Sequence, residues 1–248
     1  MKGIFDSIAK AEDNANASQK KETKISIEKF LDNPNSVLAE YNQNYVRIPF
    51  AYNDDLKNYE TLLNGGLAGG NLYILGGIPS SGKTGLLNCI GDNICMQGYP
   101  VLYFSYDDGK SELRYRTFAR FSEHNIEEFN LRKIPEFQKI FAIPTIKQIM
   151  PLKYVIQEMI SVEKWPDLID QIIKKHGKGP VIIIDYLRKL KLDNGSGDER
   201  LRVDNIMGKL TELAKDKNIP IIAISELARD SYKGGQRLSM ASFKESVS

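Results

Sequence analysis

From residue 71 to residue 225 the chain alternates short, wholly apolar runs with longer stretches whose apolar residues recur every three or four positions. The runs NLYIL (71–75), VLYFS (101–105), VIIID (181–185) and PIIAIS (220–225) lack a polar alternate face, which predicts strands covered on both sides. The periodic stretches predict helices. One spans about 83–97 with Leu86, Leu87, Ile90 and Ile94 inward, a second about 111–122, and a third WPDLIDQIIKKHG (165–177) with Leu168, Ile169, Ile172 and Ile173 inward. A fourth carries Val203, Ile206, Met207, Leu210, Leu213 and Ala214 on one face, after a loop over NGSGDER (194–200). Apolar strands alternating with amphipathic helices predict an α/β fold, a mostly parallel sheet with helices on both faces. Ligands of such sheets bind at the carboxyl ends of the strands.

The flanks read differently. VRIPF (46–50) predicts a short strand or extended entry, and LKNYETLL (56–63) a helix stopped by the following NGG. Pro135, Pro144 and Pro151 break residues 123–160 into short pieces, with YVIQEMI (154–160) a candidate strand. Residues 1–24 are polar, and AEDNANASQKKETK offers little to a core, so a disordered or frayed segment is expected. ISIEKFLD (25–32) suits a short amphipathic helix through Ile25, Ile27, Phe30 and Leu31. Two places are open to it, its own domain or a neighbouring subunit. The expected division is a tail with a linker helix over 1–45 and one domain over 46–248.

Composition narrows the class only a little. The 248 residues, 42% of them hydrophobic, suffice for one sizeable core. A net charge of +2 does not identify a partner, since a nucleic-acid grip need only be basic locally. Cys89 and Cys95 form no CxxC pair and HExxH is absent, so a structural zinc site is not expected and the cysteines read as buried thiols. His176 reads as a helix-end residue. No apolar run is long enough for a membrane span and no signal-peptide core opens the chain, so the expectation is a cytoplasmic protein without a membrane partner.

The chemistry is concentrated in one segment. Gly77-Ile78-Pro79-Ser80-Ser81-Gly82-Lys83-Thr84 matches GxxxxGK[ST] at every fixed position, between a predicted strand and a predicted helix. Glycines let the backbone curl until its N–H groups face inward, where they and the helix N-terminus hold phosphate oxygens. Lys83 reaches the β- and γ-phosphates, and the Thr84 hydroxyl ligates magnesium. Asp185, closing VIIID, is the expected second element, a carboxylate for a magnesium-bound water beside the triphosphate.

Further segments extend the pattern. GGIPSSGKT, VLYFSYDDGKSELRYR, VIIIDYLRKL, NIPIIAISELAR and FKESVS occur in this order from about residue 50 to residue 246. In order and rough spacing they resemble the motifs of the DnaB-like replicative helicases, specifically the RecA-like ATPase domain of that family. The resemblance implies a RecA-like P-loop core, ATP and Mg2+ as cofactors, and ATP-driven movement on single-stranded DNA in replication. It implies a homo-oligomer, a hexameric ring, with a primase or a loader as further partners.

Carried over residue by residue, the resemblance sets Asp107 where the family has a catalytic glutamate that orients the attacking water. Aspartate is one methylene shorter, and Asp108 is the neighbouring alternative, pointing to the other face of an extended chain. Arg116 matches an arginine that contacts nucleotide or an adjacent subunit, although Arg114, Arg116 and Arg120 also fit a solvated helix face. Glu226 stands where the family has a glutamine that senses the γ-phosphate. Ionised glutamate only accepts hydrogen bonds, so Glu226 needs a cation, the metal's water shell or a proton. Two loops are expected at DNA: 193–202 with Arg200 and Arg202, and 229–238 with Arg229, Lys233 and Arg237, whose Gly234 and Gly235 admit phosphates to the backbone. The family's pattern runs past the final segment to a lysine and an arginine finger for the neighbour's nucleotide, which the 248 residues do not reach. Glu226, Asp107 and that ending keep open an alternative, a non-motor ATP-binding module that regulates or loads a replication or recombination complex. A small-molecule kinase is not expected, because the sequence shows no lid segment rich in arginine.

Overall fold

In this computed structural model the described residues are 47–52, 54–193 and 199–226, with only the backbone described for Glu199, Arg200 and Glu226. The helix expected over 25–32, the loop 229–238 and the FKESVS segment lie outside them.

The elements run in chain order as β1 (Arg47–Ile48), α1 (Lys57–Leu62), β2 (Leu67–Ala68), β3 (Leu72–Gly77), α2 (Lys83–Met96), β4 (Val101–Ser105) and α3 (Lys110–Phe121). Then come α4 (Ile126–Asn130), α5 (Pro144–Ile149), β5 (Lys153–Ile156), α6 (Trp165–His176), β6 (Val181–Asp185), α7 (Glu199–Lys217) and β7 (Ile221–Glu226). Five strands form a sheet of order β3-β7-β6-β4-β5, every neighbouring pair parallel. β1 and β2 form a separate antiparallel pair, Ile48 opposite Leu67. Among the described residues no helix is long and apolar enough to cross a membrane.

The sheet has a core on each face because its strands have no polar alternate. Side chains alternate across a strand. Leu102 and Phe104 of β4, with Ile182 and Ile184 of β6, meet Trp165 and Ile169 of α6 and Ile206 and Leu210 of α7. Val101 and Tyr103, with Val181 and Ile183, meet Leu87, Ile90 and Ile94 of α2 on the other face. Trp165 stacks flat on Phe104 with ring centroids 3.9 Å apart. Burying each large aliphatic side chain contributes about 1.5–3 kcal/mol. Leu86, Leu168 and Ile173, expected inward, are only partly buried at the margins of these clusters.

The proline-broken stretch becomes a small cap on α3. Asn125 and Glu128 make a capping box that starts α4, and Pro144 occupies the first turn of α5, where its missing N–H costs nothing. Phe129, Ile140 and Ile146 pack on Phe118 of α3. β5 is shorter than the expected 154–160 run, because Glu158 accepts from the Gln157 backbone N–H and the Ile160 N–H turns back on the Glu158 carbonyl. At the other end of the chain, α7 takes in Glu199 and Arg200, which the expected loop over 194–200 includes.

Parallel register aligns the strand ends that matter. Ser105 lies beside Asp185, and Gly77 beside Glu226.

Candidate nucleotide site

The loop between β3 and α2 is strongly curled. Ser80 has φ 60° and Gly82 φ 85°, both left-handed, immediately before the helix begins at Lys83. A side chain at Gly77 would crowd the loop, since an added Cβ would stand 3.0 Å from Ser81 Oγ and 3.3 Å from Lys83 Cδ. This turn sets the N-terminus of a fourteen-residue helix at the carboxyl edge of the sheet. Such a terminus presents unpaired N–H donors and the positive end of the helix dipole. The Lys83 ammonium reaches back across the loop and donates to the carbonyls of Gly77 (3.1 Å) and Ile78 (2.7 Å).

Asp185 faces this loop from β6, with 3% of its surface exposed. The Tyr103 phenol donates to its Oδ2 at 3.4 Å, and the Thr84 side chain stands close enough to act on it electrostatically. Burial pushes the Asp185 carboxyl above its ordinary range, Thr84 beside it pulls it back, and the nearby Asp108 and Asp107 add to the rise. Burial, with Asp185 beside it, pushes the Tyr103 phenol well up as well. A buried carboxylate near the Thr84 hydroxyl, at the edge of the phosphate loop, suits a hard divalent cation that takes its other oxygens from phosphate and water. The residues present therefore fit a polyphosphate at the loop and a magnesium ion against Thr84 and Asp185.

Asp107 and Asp108 differ in their surroundings. Asp108 receives Arg116 Nη2 at 3.4 Å, and its carbonyl accepts from Ser105 Oγ at 2.7 Å. Asp107 is exposed and makes no side-chain hydrogen bond among the described residues. Arg116 also pairs with Glu112 at 3.3 Å, while its Nε is buried without a partner. Its neighbours part company. Arg120 is engaged inside the fold, donating to the Cys89 carbonyl and lying 3.8 Å from Asp55, whereas Arg114 is exposed.

The loop 77–84, Asp185, Asp107 and Arg116 thus gather at one edge of the sheet. The backbone of Glu226 joins them as the last residue of β7, opposite Gly77. Of the residues expected at DNA, Arg202 donates to the Arg188 carbonyl at 3.0 Å, and Arg200 has only its backbone described, in the first turn of α7. Arg229, Lys233 and Arg237 lie outside the described residues. His176 ends α6 and hydrogen-bonds Tyr154 at 2.8 Å. Cys95 is buried and Cys89 half-buried.

Sequence reasoning passed over Tyr103 and a buried polar group formed by Asn88, Asp92, Thr117 and Lys153. The available signal was the four-residue spacing of Thr84, Asn88 and Asp92 in an otherwise apolar helix, which stacks polar groups along one side.

A curled glycine loop joining a strand to a helix, faced by a buried acid at the end of a parallel strand, defines a P-loop nucleotide-binding domain with a RecA-like α/β core. The model of the DnaB-like helicase C-terminal domain matches residues 54–248, and the chain belongs to that family. It is 32% identical over 193 residues to a replicative DNA helicase DnaB from Synechocystis, covering 74% of this chain and 21% of that protein. It is 27% identical over 187 residues to a probable replicative DNA helicase from Guillardia theta, covering 73% of this chain and 31% of the relative. A solved DnaB-like replicative helicase, described with its interactions with primase, superposes with a TM-score of 0.71 at 19% identity, over 87% of this chain and 53% of that one. The chain therefore spans a third or less of these two helicase relatives.

Proposed function

We propose that this chain is the ATP-hydrolysing motor domain of a DnaB-type helicase, moving on single-stranded DNA during replication as part of a homo-oligomeric ring. The observation that carries the reading is the meeting of Thr84 and Asp185 beside the P-loop, in a chain of the DnaB family. Gly77, Ser80, Ser81 and Gly82 wrap the phosphates through backbone donors, Pro79, which has no N–H to give, shapes the bend around them, and Lys83 exchanges its two carbonyl partners for phosphate oxygens. Thr84 and Asp185 would hold Mg2+, which when bound would neutralise charge on the triphosphate. Asp107, not drawn off by Arg116, is the carboxylate left to orient the attacking water and take its proton. Arg200, Arg229, Lys233 and Arg237 supply cations for DNA phosphates. Primase, named with the solved neighbour, is the partner class that fits a replicative motor.

The test is ATP hydrolysis by the full chain with and without single-stranded DNA, with Lys83→Ala as control. Several-fold stimulation that disappears in the control is expected. A second reading, a non-motor module that binds ATP and regulates a replication partner, draws on Glu226: an acceptor-only residue ends β7 beside Gly77, where the family has an amide. Lys83-dependent ATP binding with no response to DNA would select that reading and reject the motor.

A further inference from the structure

Behind the phosphate site lies a buried ammonium that the proposed chemistry does not use. Lys153, on the edge strand β5, has a side chain 6% exposed, and its partner Asp92 on α2 is fully buried. The Lys153 Nζ donates to Asp92 Oδ1 at 2.6 Å, Asn88 Oδ1 at 2.7 Å and Thr117 Oγ1 at 3.1 Å. An ammonium has three protons, and each finds an acceptor. The acceptors are themselves joined: Asn88 Nδ2 donates to Thr117 Oγ1 at 3.2 Å, and the Thr117 hydroxyl faces both Asp92 oxygens at 3.0 Å. Three elements, α2, α3 and β5, thus meet in one closed polar group.

Stability does not explain this group. Well-packed apolar residues commonly replace a buried ion pair with no loss, and often with a gain. Hydrogen bonds do what apolar packing does poorly, fixing the position of one element along another.

The positions fixed are those of the site. Thr84, Asn88 and Asp92 follow one another at four-residue steps along α2, so the lysine grips the side of the helix that carries Thr84. Thr117 sits two turns into α3, which begins directly after the Asp107–Asp108–Gly109 turn and carries Arg116. The ring of Tyr103 lies 5.9 Å from the Lys153 Nζ, and its hydroxyl reaches Asp185.

We propose that Lys153 is a positioning residue, whose ammonium, held by Asp92, Asn88 and Thr117, locks α3 against the P-loop helix and so sets the Asp107–Asp108 turn over Asp185. The proposal rests on the hydrolytic reading above for its consequence in turnover, and on geometry alone for its effect on α3.

The test uses the full chain. Thr117→Val removes the hydroxyl and leaves the Lys153–Asp92 pair, whereas Thr117→Ser keeps the hydroxyl. In Thr117→Val the kcat for ATP should fall about ten-fold with KM within about two-fold. Amides of residues 106–112 should exchange about ten-fold faster. Thr117→Ser should restore both. Should the valine chain not fold, the double variant Lys153→Met with Asp92→Leu, which removes both charges together, carries the same expectation. Wild-type kcat and exchange in either variant overturn the proposal, and so does a serine variant that falls as far as valine, which marks the methyl as the active part. A wild-type chain without Lys83-dependent hydrolysis defeats the hydrolytic reading instead, and amide exchange still decides the position of α3.

Discussion

Asp185, at the end of β6, accepts a hydrogen bond from the Tyr103 phenol of β4 at 3.4 Å and lies within electrostatic reach of Thr84 in the first turn of α2. Burial has raised the Asp185 carboxyl, so the folded chain holds that proton more tightly than the unfolded chain does. The resulting stability is present below the unfolded value and lost as pH rises through the folded one. A divalent cation acts in the opposite sense, because it takes only the anion. Magnesium-dependent nucleotide affinity should therefore fall on acidification at a higher pH than a surface aspartate would give. Asp185→Asn should abolish that pH dependence and weaken magnesium-dependent affinity by about ten-fold or more. Its metal-free Tm should hold or rise, since a buried charge is removed. Titration with a fluorescent nucleotide across pH, with and without Mg2+, reads all three, and unchanged affinity removes Asp185 from the metal site.

The two glycines of the loop should fail in different ways. Gly82 sits at φ 85°, where an L side chain costs about 1 kcal/mol, so Gly82→Ala should lower Tm by about 2–4 °C. Gly77→Ala meets only Ser81 Oγ and Lys83 Cδ, both side-chain atoms that can give way. Its Tm should hardly move, but Lys83 is displaced, and nucleotide affinity should fall about ten-fold. Thermal melts and nucleotide titrations on both variants separate strain from misplacement; a parallel loss in both readouts would show that the loop has no such division.

These contrasts indicate which features local sequence can encode. The strands at 101–105 and 181–185 were legible because neither face admits a polar residue, and the P-loop because its spacing is dictated by one phosphate group. Lys153 was not legible, since its partners lie 36, 61 and 65 positions away in the chain and nothing in KYVI marks the lysine as inward. Arg116 matched its motif, but its sequence did not tell that Asp108 and Glu112 would hold it. The proline-broken stretch hid a cap whose logic, Phe129 and Ile146 on Phe118, is tertiary rather than periodic.

Arg202 belongs to the same class of surprise. Its guanidinium serves the Arg188 carbonyl, which favours a role in holding α7 to the segment after β6. Arg202→Ala should cost about 1–2 kcal/mol of stability and leave the salt dependence of single-stranded DNA binding unchanged. Substituting Arg229, Lys233 or Arg237 should reduce that salt slope by about one each, with Tm unchanged. Denaturant melts and binding isotherms at several salt concentrations decide the matter. A reduced slope in Arg202→Ala would return it to the DNA-contacting set.

The pair Asp107 and Asp108 offers the sharpest test of the hydrolytic machinery. Arg116 holds Asp108 at 3.4 Å, and the Ser105 hydroxyl holds its backbone, so this carboxylate is committed to the fold. Asp107 next to it is exposed and unengaged among the described residues. If Asp107 orients the attacking water, Asp107→Asn should lower kcat by about a hundred-fold with little change in KM, since a general base typically supplies 10²–10⁴. Asp107→Glu restores the methylene that the family has at this place, and turnover should equal or exceed wild type. Asp108→Asn should instead loosen Arg116 and lower kcat by less than about ten-fold. Steady-state hydrolysis by the three variants reads the result. A reversal, with Asp108→Asn the more damaging and Asp107→Glu inert or harmful, would move the base to Asp108 and make its bond to Arg116 a contact that must break before the reaction can proceed.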